Sequence, residues 1–226
     1  MMKRSIFGPV KLFSGLLFVM LMTLVGCSAP TDHVGEWTAI EKDGKALSEG
    51  VSIQYFLGAN NIAAKNEIAE KNGALNLYAY EVTRSGNELS LVGIENESET
   101  YQVEVLKDAN GKDQMKLTGA NGTYLFEKTG EAQPAIADSK YNYLNYPVTV
   151  IDDESGMRMT LRLFCNGHMM LDSYQMNYEF DADKGVISIK NQGNTVFQIT
   201  IISETEWEFG VEGAGSSRRQ VIITKR

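Results

Sequence analysis

Histidine and cysteine are scarce in this sequence, which has two of each among its 226 residues. Catalysis by a serine or cysteine nucleophile needs a neighbouring histidine, and His33 lies in a short polar stretch near the N-terminus, which leaves only His168. No serine stands in a Gly-x-Ser-x-Gly motif. The carboxylates of Asp152, Asp153 and Glu154 adjoin a predicted turn and have no identifiable facing acid for glycosidase chemistry. We therefore expect no catalytic residues and predict that the protein is not an enzyme.

Apolar runs of membrane-spanning length are also missing. The apolar stretch Leu12 to Val25 is short of a spanning helix once its polar interruptions are counted, and no stop-transfer charges follow it. Three basic residues precede this apolar stretch: Lys3, Arg4 and Lys11. This pattern predicts a cleaved signal peptide over residues 1–26.

The end of this leader resembles the lipobox of bacterial lipoproteins, which Leu24 to Cys27 match position by position. The resemblance implies cleavage before Cys27, lipid attachment to its thiol and acylation, for example by palmitate, of its amine. Two or three acyl chains make membrane anchoring effectively permanent. We expect residues 27–33 to be a tether to the lipid bilayer. In a bacterium with two membranes, the resemblance implies that the non-acidic Ser28 permits sorting to the outer membrane, and the lack of an acidic run directly after Cys27 favours its periplasmic side. With a single membrane, the anchor would hold the protein on its outer face.

Basic residues are too few to balance the acidic ones. Without residues 1–26, which hold three basic and no acidic residues, 18 basic and 29 acidic residues remain, so the net charge changes from −8 to about −11. An acidic surface argues against nucleic acid as a partner. If Cys27 carries lipid, Cys165 is the only remaining thiol and no intramolecular disulfide can form.

Short strand patterns occupy most of the remaining chain. Apolar and polar residues alternate over Leu75 to Tyr80, Leu89 to Leu91 and Tyr101 to Val105, and turn residues separate these segments. Strands at intervals of roughly ten residues are typical of an antiparallel sandwich or barrel. One segment, Asn61 to Asn72, departs from this alternation and predicts a short helix that ends at Gly73. The sequence therefore predicts an all-β fold with one short helix.

An internal repeat divides the strand-rich region. Tyr80 and Tyr178 begin matching blocks 98 positions apart, and the last matching block, at Gly119 and Gly213, is 94 positions apart. We interpret this as two related β units in tandem. The predicted boundaries are 34–128 for the first unit, 129–140 for a linker and 141–226 for the second unit.

The first unit resembles the small lipocalin-like domains of bacterial lipoproteins. It opens on Gly35-Glu36-Trp37 after the tether and closes on the pattern Gly-x-Tyr-x-Phe-x-Lys over Gly122 to Lys128. The resemblance implies a small antiparallel barrel in which Trp37 packs across the base. The second unit lacks the Gly-x-Trp opening. The sequence therefore allows three arrangements: a closed barrel, an open sheet packed on the first unit, or one large barrel shared by both halves.

Tyrosines at a spacing of two residues are the candidate ligand-binding residues: Tyr78 with Tyr80, and Tyr141 with Tyr143. Each pair shares one face of a strand, and a face that lines a barrel could hold a small hydrophobic or amphipathic molecule. The alternative is that side chains fill the barrels and that exposed tyrosines meet a protein partner within an envelope assembly. We expect no cofactor in either case.

A methionine-rich segment, Gly156 to Met176, offers a further alternative. Its Cys165, His168 and Met169 are soft ligands that suit copper(I). Alternating methionines are also common core residues, and Cys165 to His168 is typical of a hairpin turn with Asn-Gly at its tip. We favour core packing over metal binding.

Overall fold

The structure is a computed structural model that describes residues 33–58, 61–68, 73–94, 97–131, 144–152, 155–181, 183–211 and 214–224. The predicted signal peptide, Cys27, Tyr141 and Tyr143 lie outside the described residues, as does most of the predicted linker. The described residues form strands and turns and contain no helix. Within these ranges there is accordingly no helix long and apolar enough to cross a membrane.

The first half of the chain forms a closed barrel of eight antiparallel strands. Its first and last strands pair with each other, with Ala39 opposite Phe126, and this pairing closes the sheet. A two-residue strand, β2 (Lys45–Ala46), adds only to the end of β1. The barrel strands are β1 (Gly35–Lys42), β3 (Ser52–Leu57), β4 (Ile62–Ile68), β5 (Leu75–Ser85), β6 (Glu88–Gly93), β7 (Ser98–Lys107), β8 (Asp113–Gly119) and β9 (Gly122–Gly130).

The second half forms another closed barrel of eight antiparallel strands, in which Val150 of the first strand pairs with Val221 of the last. Each strand pairs with the next along the chain, which is the up-and-down order found in lipocalins. Its strands are β10 (Pro147–Ile151), β11 (Arg158–Leu163), β12 (His168–Leu171), β13 (Tyr174–Asp181), β14 (Val186–Asn191), β15 (Asn194–Ile201), β16 (Glu206–Val211) and β17 (Gly215–Ile223). The prediction of two tandem antiparallel all-β units is confirmed, and both units are closed.

The predicted helix over Asn61 to Asn72 is wrong. Its described N-terminal part is β4, which pairs with β3 on one side and with β5 on the other. The apolar residues do not alternate because β4 is buried on both faces: Ala63 belongs to the core of the first barrel, whereas Ile62 and Ala64 pack against the second barrel. A short apolar run of this kind does not distinguish a strand from a helix by periodicity.

The predicted role of Trp37 agrees with its position. Trp37 is 1% exposed in the core of the first barrel, and its Nε1 donates a hydrogen bond to the backbone oxygen of His33 at 2.9 Å. His33, which we assigned to the tether, is itself buried. The end of the predicted tether is therefore part of the barrel base. At the other boundary, β9 continues to Gly130, two residues into the predicted linker.

The two barrels pack on each other through the outer faces of β4 and β5. Ala64 and Ala79 join one continuous buried cluster with Val148 and Phe164 of the second barrel. An apolar contact that excludes water in this way stabilises the arrangement of the two barrels.

A buried asparagine fixes the register of this interface. The Asn145 Nδ2 donates to the backbone oxygen of Ala63 at 2.8 Å, and its Oδ1 accepts from the backbone nitrogen of Cys165 at 2.9 Å. Asn145 adopts a φ of 73°, a conformation in which asparagine is favoured over most other residues. The Asn145 side chain thus forms hydrogen bonds with the backbone of both barrels.

Candidate functional site

A cavity of about 260 Å³ opens at one end of the first barrel. The mouth lies where β1 ends and where the β8–β9 hairpin turns, whereas Trp37 lies towards the opposite end of the barrel. The apolar and aromatic part of the lining comes from Ile53, Tyr55, Tyr101, Tyr124 and Phe126. The polar part comes from Lys42, Lys65, Glu67, Glu99 and Asn121.

The wall of the cavity contains a carboxylate, Glu99, with four side-chain donors. Its Oε1 accepts from the Nζ of Lys65 at 2.7 Å and from the hydroxyl of Tyr80 at 3.2 Å. Its Oε2 accepts from the hydroxyl of Tyr101 at 2.9 Å and from that of Tyr55. We call Tyr55, Lys65, Tyr80, Glu99 and Tyr101 the Glu99 cluster. A buried carboxylate with this many donors is held in one position.

Strand alternation places these side chains inside the barrel. Tyr55 on β3 lies directly opposite Lys65 on β4, and Lys65 lies opposite Tyr78 on β5, so the three side chains point to the same face of the sheet. On β7, Glu99 and Tyr101 are two residues apart and share the inward face.

Lys65 and Glu99 stabilise each other in their ionised forms. Burial by itself would raise the pKa of the Glu99 carboxyl, but the Lys65 ammonium and the hydroxyl donors outweigh burial, so this pKa lies below its ordinary value. Burial would likewise lower the pKa of Lys65, but Glu99 and Glu67 outweigh it and this pKa is raised. Both groups are therefore ionised at neutral pH.

The tyrosines of the cluster remain protonated. Burial, followed by the nearby Glu99 charge, raises the pKa of Tyr55 and of Tyr80. Burial is also the main reason that the pKa of Tyr101 is raised. All three hydroxyls can therefore act as hydrogen-bond donors over the physiological pH range.

An exposed lysine stands at the mouth of the cavity. The Nζ of Lys42 lies 5.1 Å from the centre of the Tyr124 ring, and a hydrogen bond with Tyr124 is the main cause that raises the pKa of Lys42. The next residue, Asp43, accepts a hydrogen bond from the backbone nitrogen of Thr123 at 2.8 Å. This bond ties the end of β1 to the start of β9 beside the mouth.

In the described part of the second barrel, the positions that match the Glu99 cluster hold apolar residues, and its partly buried ion pair, between Arg219 and Asp152, lies elsewhere. Tyr178 on β13 matches Tyr80 in the repeat, and the registers of the neighbouring strands then place Met169 where the first barrel has Lys65 and Leu163 where it has Tyr55. The inward positions of β15, the counterpart of β7, are Phe197, Ile199 and Ile201. The same fold therefore closes with apolar residues at these positions.

Of the predicted ligand-binding tyrosines, the structure describes Tyr78 and Tyr80. Both belong to the interior of the first barrel: Tyr80 is fully buried in the Glu99 cluster, and the Tyr78 ring lies 4.5 Å from the Nζ of Lys65. The predicted shared face is confirmed for this pair. Tyr141 and Tyr143 lie outside the described residues.

Sequence reasoning missed the charged residues of the site, Lys65 and Glu99. A usable signal exists for Glu99, since it lies two residues before Tyr101 and therefore shares the face of Tyr101 and Val103. No such signal marks Lys65, because it lies in the segment that we predicted to be helical.

The alternative copper ligands lie apart from this cavity. Cys165 and Met169 are buried in the apolar cluster that joins the barrels, and burial raises the pKa of the Cys165 thiol to about 12. Burial also lowers the pKa of the partly buried His168. Among the described residues, no group of three or more histidine, cysteine, aspartate or glutamate side chains is arranged to hold a metal ion.

The turn between β11 and β12 carries Asn166-Gly167, with Gly167 at a φ of 81°, as predicted.

Comparison with known proteins adds no assignment. No family model matches the chain, and no match was found among the curated proteins or the solved structures.

Proposed function

We propose that this chain is a lipid-anchored protein of the bacterial cell envelope whose first barrel binds a small amphipathic molecule without transforming it. The anchor would be Cys27, and the ligand would occupy the cavity beside the Glu99 cluster. The observation that carries the proposal is the contrast between the two barrels. The first barrel has a buried charged cluster beside a cavity, and the second barrel has apolar residues at the corresponding positions.

Stability alone does not account for the Glu99 cluster. Burying an ammonium and a carboxylate costs free energy, and apolar residues of similar volume commonly give equal or greater stability. The second barrel closes in this apolar way, with Leu163 and Met169 among the inward residues. A polar arrangement that the fold does not need is best explained by a ligand.

The chemistry of the lining narrows the ligand class. Tyr124 and Phe126 offer aromatic surface, whereas Lys42, Glu67 and Asn121 offer polar groups. A purely apolar molecule would remove water from these polar groups without replacing its hydrogen bonds, which costs free energy. An amphipathic molecule with a polar group and an apolar part fits the cavity better.

Native mass spectrometry of the whole soluble chain, beginning at Ser28 and purified gently from its own host, tests ligand binding. We expect an additional mass of a few hundred daltons that disappears on denaturation. The variant Lys42→Glu reverses a charge at the mouth and should lower the fraction that carries this mass. Lys184→Glu makes the same change at an exposed position in the β13–β14 turn of the second barrel, away from the lining, and should leave it unchanged. A bare mass in the wild-type protein would contradict the proposal and favour a protein partner in the envelope.

Lipid attachment has an independent test. The variant Cys27→Ser is expected to carry no lipid, because the hydroxyl does not take the place of the thiol that would carry it. Labelling with an alkyne-tagged palmitate should mark the wild-type chain and not the variant. Equal labelling of both proteins would rule out Cys27 as the anchor.

A further inference from the structure

The cavity end of the first barrel and the corresponding end of the second barrel face the same side of the molecule. Near the Trp37 end of the first barrel, Asn145 donates to the backbone oxygen of Ala63. Further along β4 the Nδ2 of Asn166 donates to Asn66 at 2.6 Å.

Next to the cavity mouth, the Gln175 Nε2 donates to the backbone oxygen of Leu75 at 3.1 Å. Gln175 lies just after the turn between β12 and β13, whereas Asn145 precedes β10 at the other end of the second barrel. The order of these contacts along the interface shows that the barrels run side by side. The β12–β13 turn is therefore on the same side as the cavity mouth.

A groove of about 300 Å³ lies between the barrels on this side. Leu75, Leu77 and Tyr78 of β5 form one wall, and Arg162 and Met170 form part of the other. Asn76, which lines the groove, lies directly opposite Glu67 on β4, which lines the cavity. The cavity and the groove therefore adjoin at this pair of residues.

Beyond the groove, the same end of the second barrel carries exposed apolar side chains. Met157 and Val211 are each 54% exposed and Tyr174 is 72% exposed. Each lies at the start or end of a strand at this end of the barrel. Tyr174, which begins β13 next to the groove residue Gln175, thus extends the mixed groove to an exposed apolar side chain at this end of the second barrel.

We propose that the cavity and the groove form one binding site for a single-chain amphiphile with an anionic head. The head would lie in the cavity near Lys42, and the apolar chain would follow the groove towards the rim of the second barrel. This inference rests on the proposed function and extends the site of that function to the second barrel.

The charge of the head follows from the pairing of the lysines. Lys65 is neutralised by Glu99 at 2.7 Å and approaches Glu67 at 3.4 Å. Lys42 forms no ion pair with any carboxylate in the part of the chain that the structure describes. The exposed ammonium of Lys42 is thus the charge best placed to receive an anion at the mouth.

Closure of both barrels favours an amphiphile over an extended peptide. A peptide that adds a strand needs a free sheet edge, and a closed barrel has none. In the described residues only the two-residue β2 lies outside the closed rings, which is too short to pair with a peptide segment over several residues.

The test compares straight-chain carboxylic acids of six and twelve carbons in NMR titrations of the whole soluble chain. We expect the longer acid to bind at least about a hundredfold more tightly, because its additional methylenes lie on apolar surface. Thr160, which is exposed and lines the groove from the second barrel, offers a way to block the groove away from the cavity. Thr160→Trp should weaken binding of the twelve-carbon acid about tenfold and leave the six-carbon acid unchanged.

Asn87→Trp is the matched control, since Asn87 is exposed in the β5–β6 turn, at the end of the first barrel opposite the cavity mouth. It should change neither affinity. Equal affinity for both acids, or no effect of Thr160→Trp, would overturn the groove inference, while a bound mass in the native spectrum would still support the proposed function. Failure of both acids to bind would also overturn the inference, and the mass measurement then decides the proposed function separately.

Discussion

Replacing Lys65 with methionine is expected to lower the free energy of unfolding by about 3–5 kcal/mol, because it leaves the buried Glu99 carboxylate without its counter-charge. Lys65 and Glu99 have side chains that are 11% and 15% exposed, so water replaces little of the lost interaction. Urea unfolding followed by tryptophan fluorescence measures the change.

The double variant Lys65→Met/Glu99→Gln is the matched control. It removes both charges and keeps an amide oxygen that accepts from Tyr55 and Tyr101, so we expect it to recover more than half of the lost stability. If Lys65→Met costs less than about 1 kcal/mol, the pair behaves as a solvated surface pair and not as a buried one.

The pH dependence of stability gives a second measure of the same pair. Because the pKa of Glu99 is lowered on folding, its contribution is present above the unfolded value, near 4.5, and is lost as the pH falls through the folded value. The pKa of Lys65 is raised from 10.5, so its contribution is present below that value and is lost as the pH rises through the higher folded value. The wild-type protein should therefore lose more stability than the double variant below about pH 4.5, and the two should run parallel near neutral pH. Identical acid unfolding curves would contradict the assignment of charge to Glu99.

Replacing Trp37 with alanine is expected to lower the free energy of unfolding by about 3–5 kcal/mol, since the change leaves a large cavity at the base of the first barrel. Trp37 is 1% exposed and contributes a hydrogen bond to the His33 backbone. The variant Trp37→Phe keeps a ring in the core and loses the hydrogen bond, so it should cost markedly less. Urea unfolding monitored by circular dichroism measures both variants, because this signal does not depend on the tryptophan. Equal costs for alanine and phenylalanine would show that the hydrogen bond, and not the packing, dominates.

The position of Trp37 in the barrel could be predicted from the sequence, whereas that of Lys65 could not. Trp37 stands in a short motif at the start of a strand, and its place at the base of the barrel was predicted from a resemblance. Lys65 stands in a segment with apolar residues on both strand faces, where the local pattern misled the assignment of secondary structure. The reason is that β4 has two buried faces, one inside its own barrel and one against the second barrel, and sequence periodicity reports only a single buried face.

The all-β class and the tandem arrangement were determined by the sequence itself. Alternating residues such as Leu89 and Leu91 define a buried face locally, and turn residues separate one strand from the next, so each strand is specified by its own neighbours. The repeat between Tyr80 and Tyr178 indicated two units for the same local reason.

Closure of the second barrel, the joining of the two cores and the Glu99 cluster were decided only by the tertiary structure. Tyr55, Lys65 and Glu99 come from three different strands, and their contacts depend on strand register and on the curvature that closes the sheet. Local alternation shows which way a side chain points, but not which side chain from a distant strand it meets. That long-range pairing is what makes a charged cluster in the first barrel and places apolar residues at the matching positions of the second.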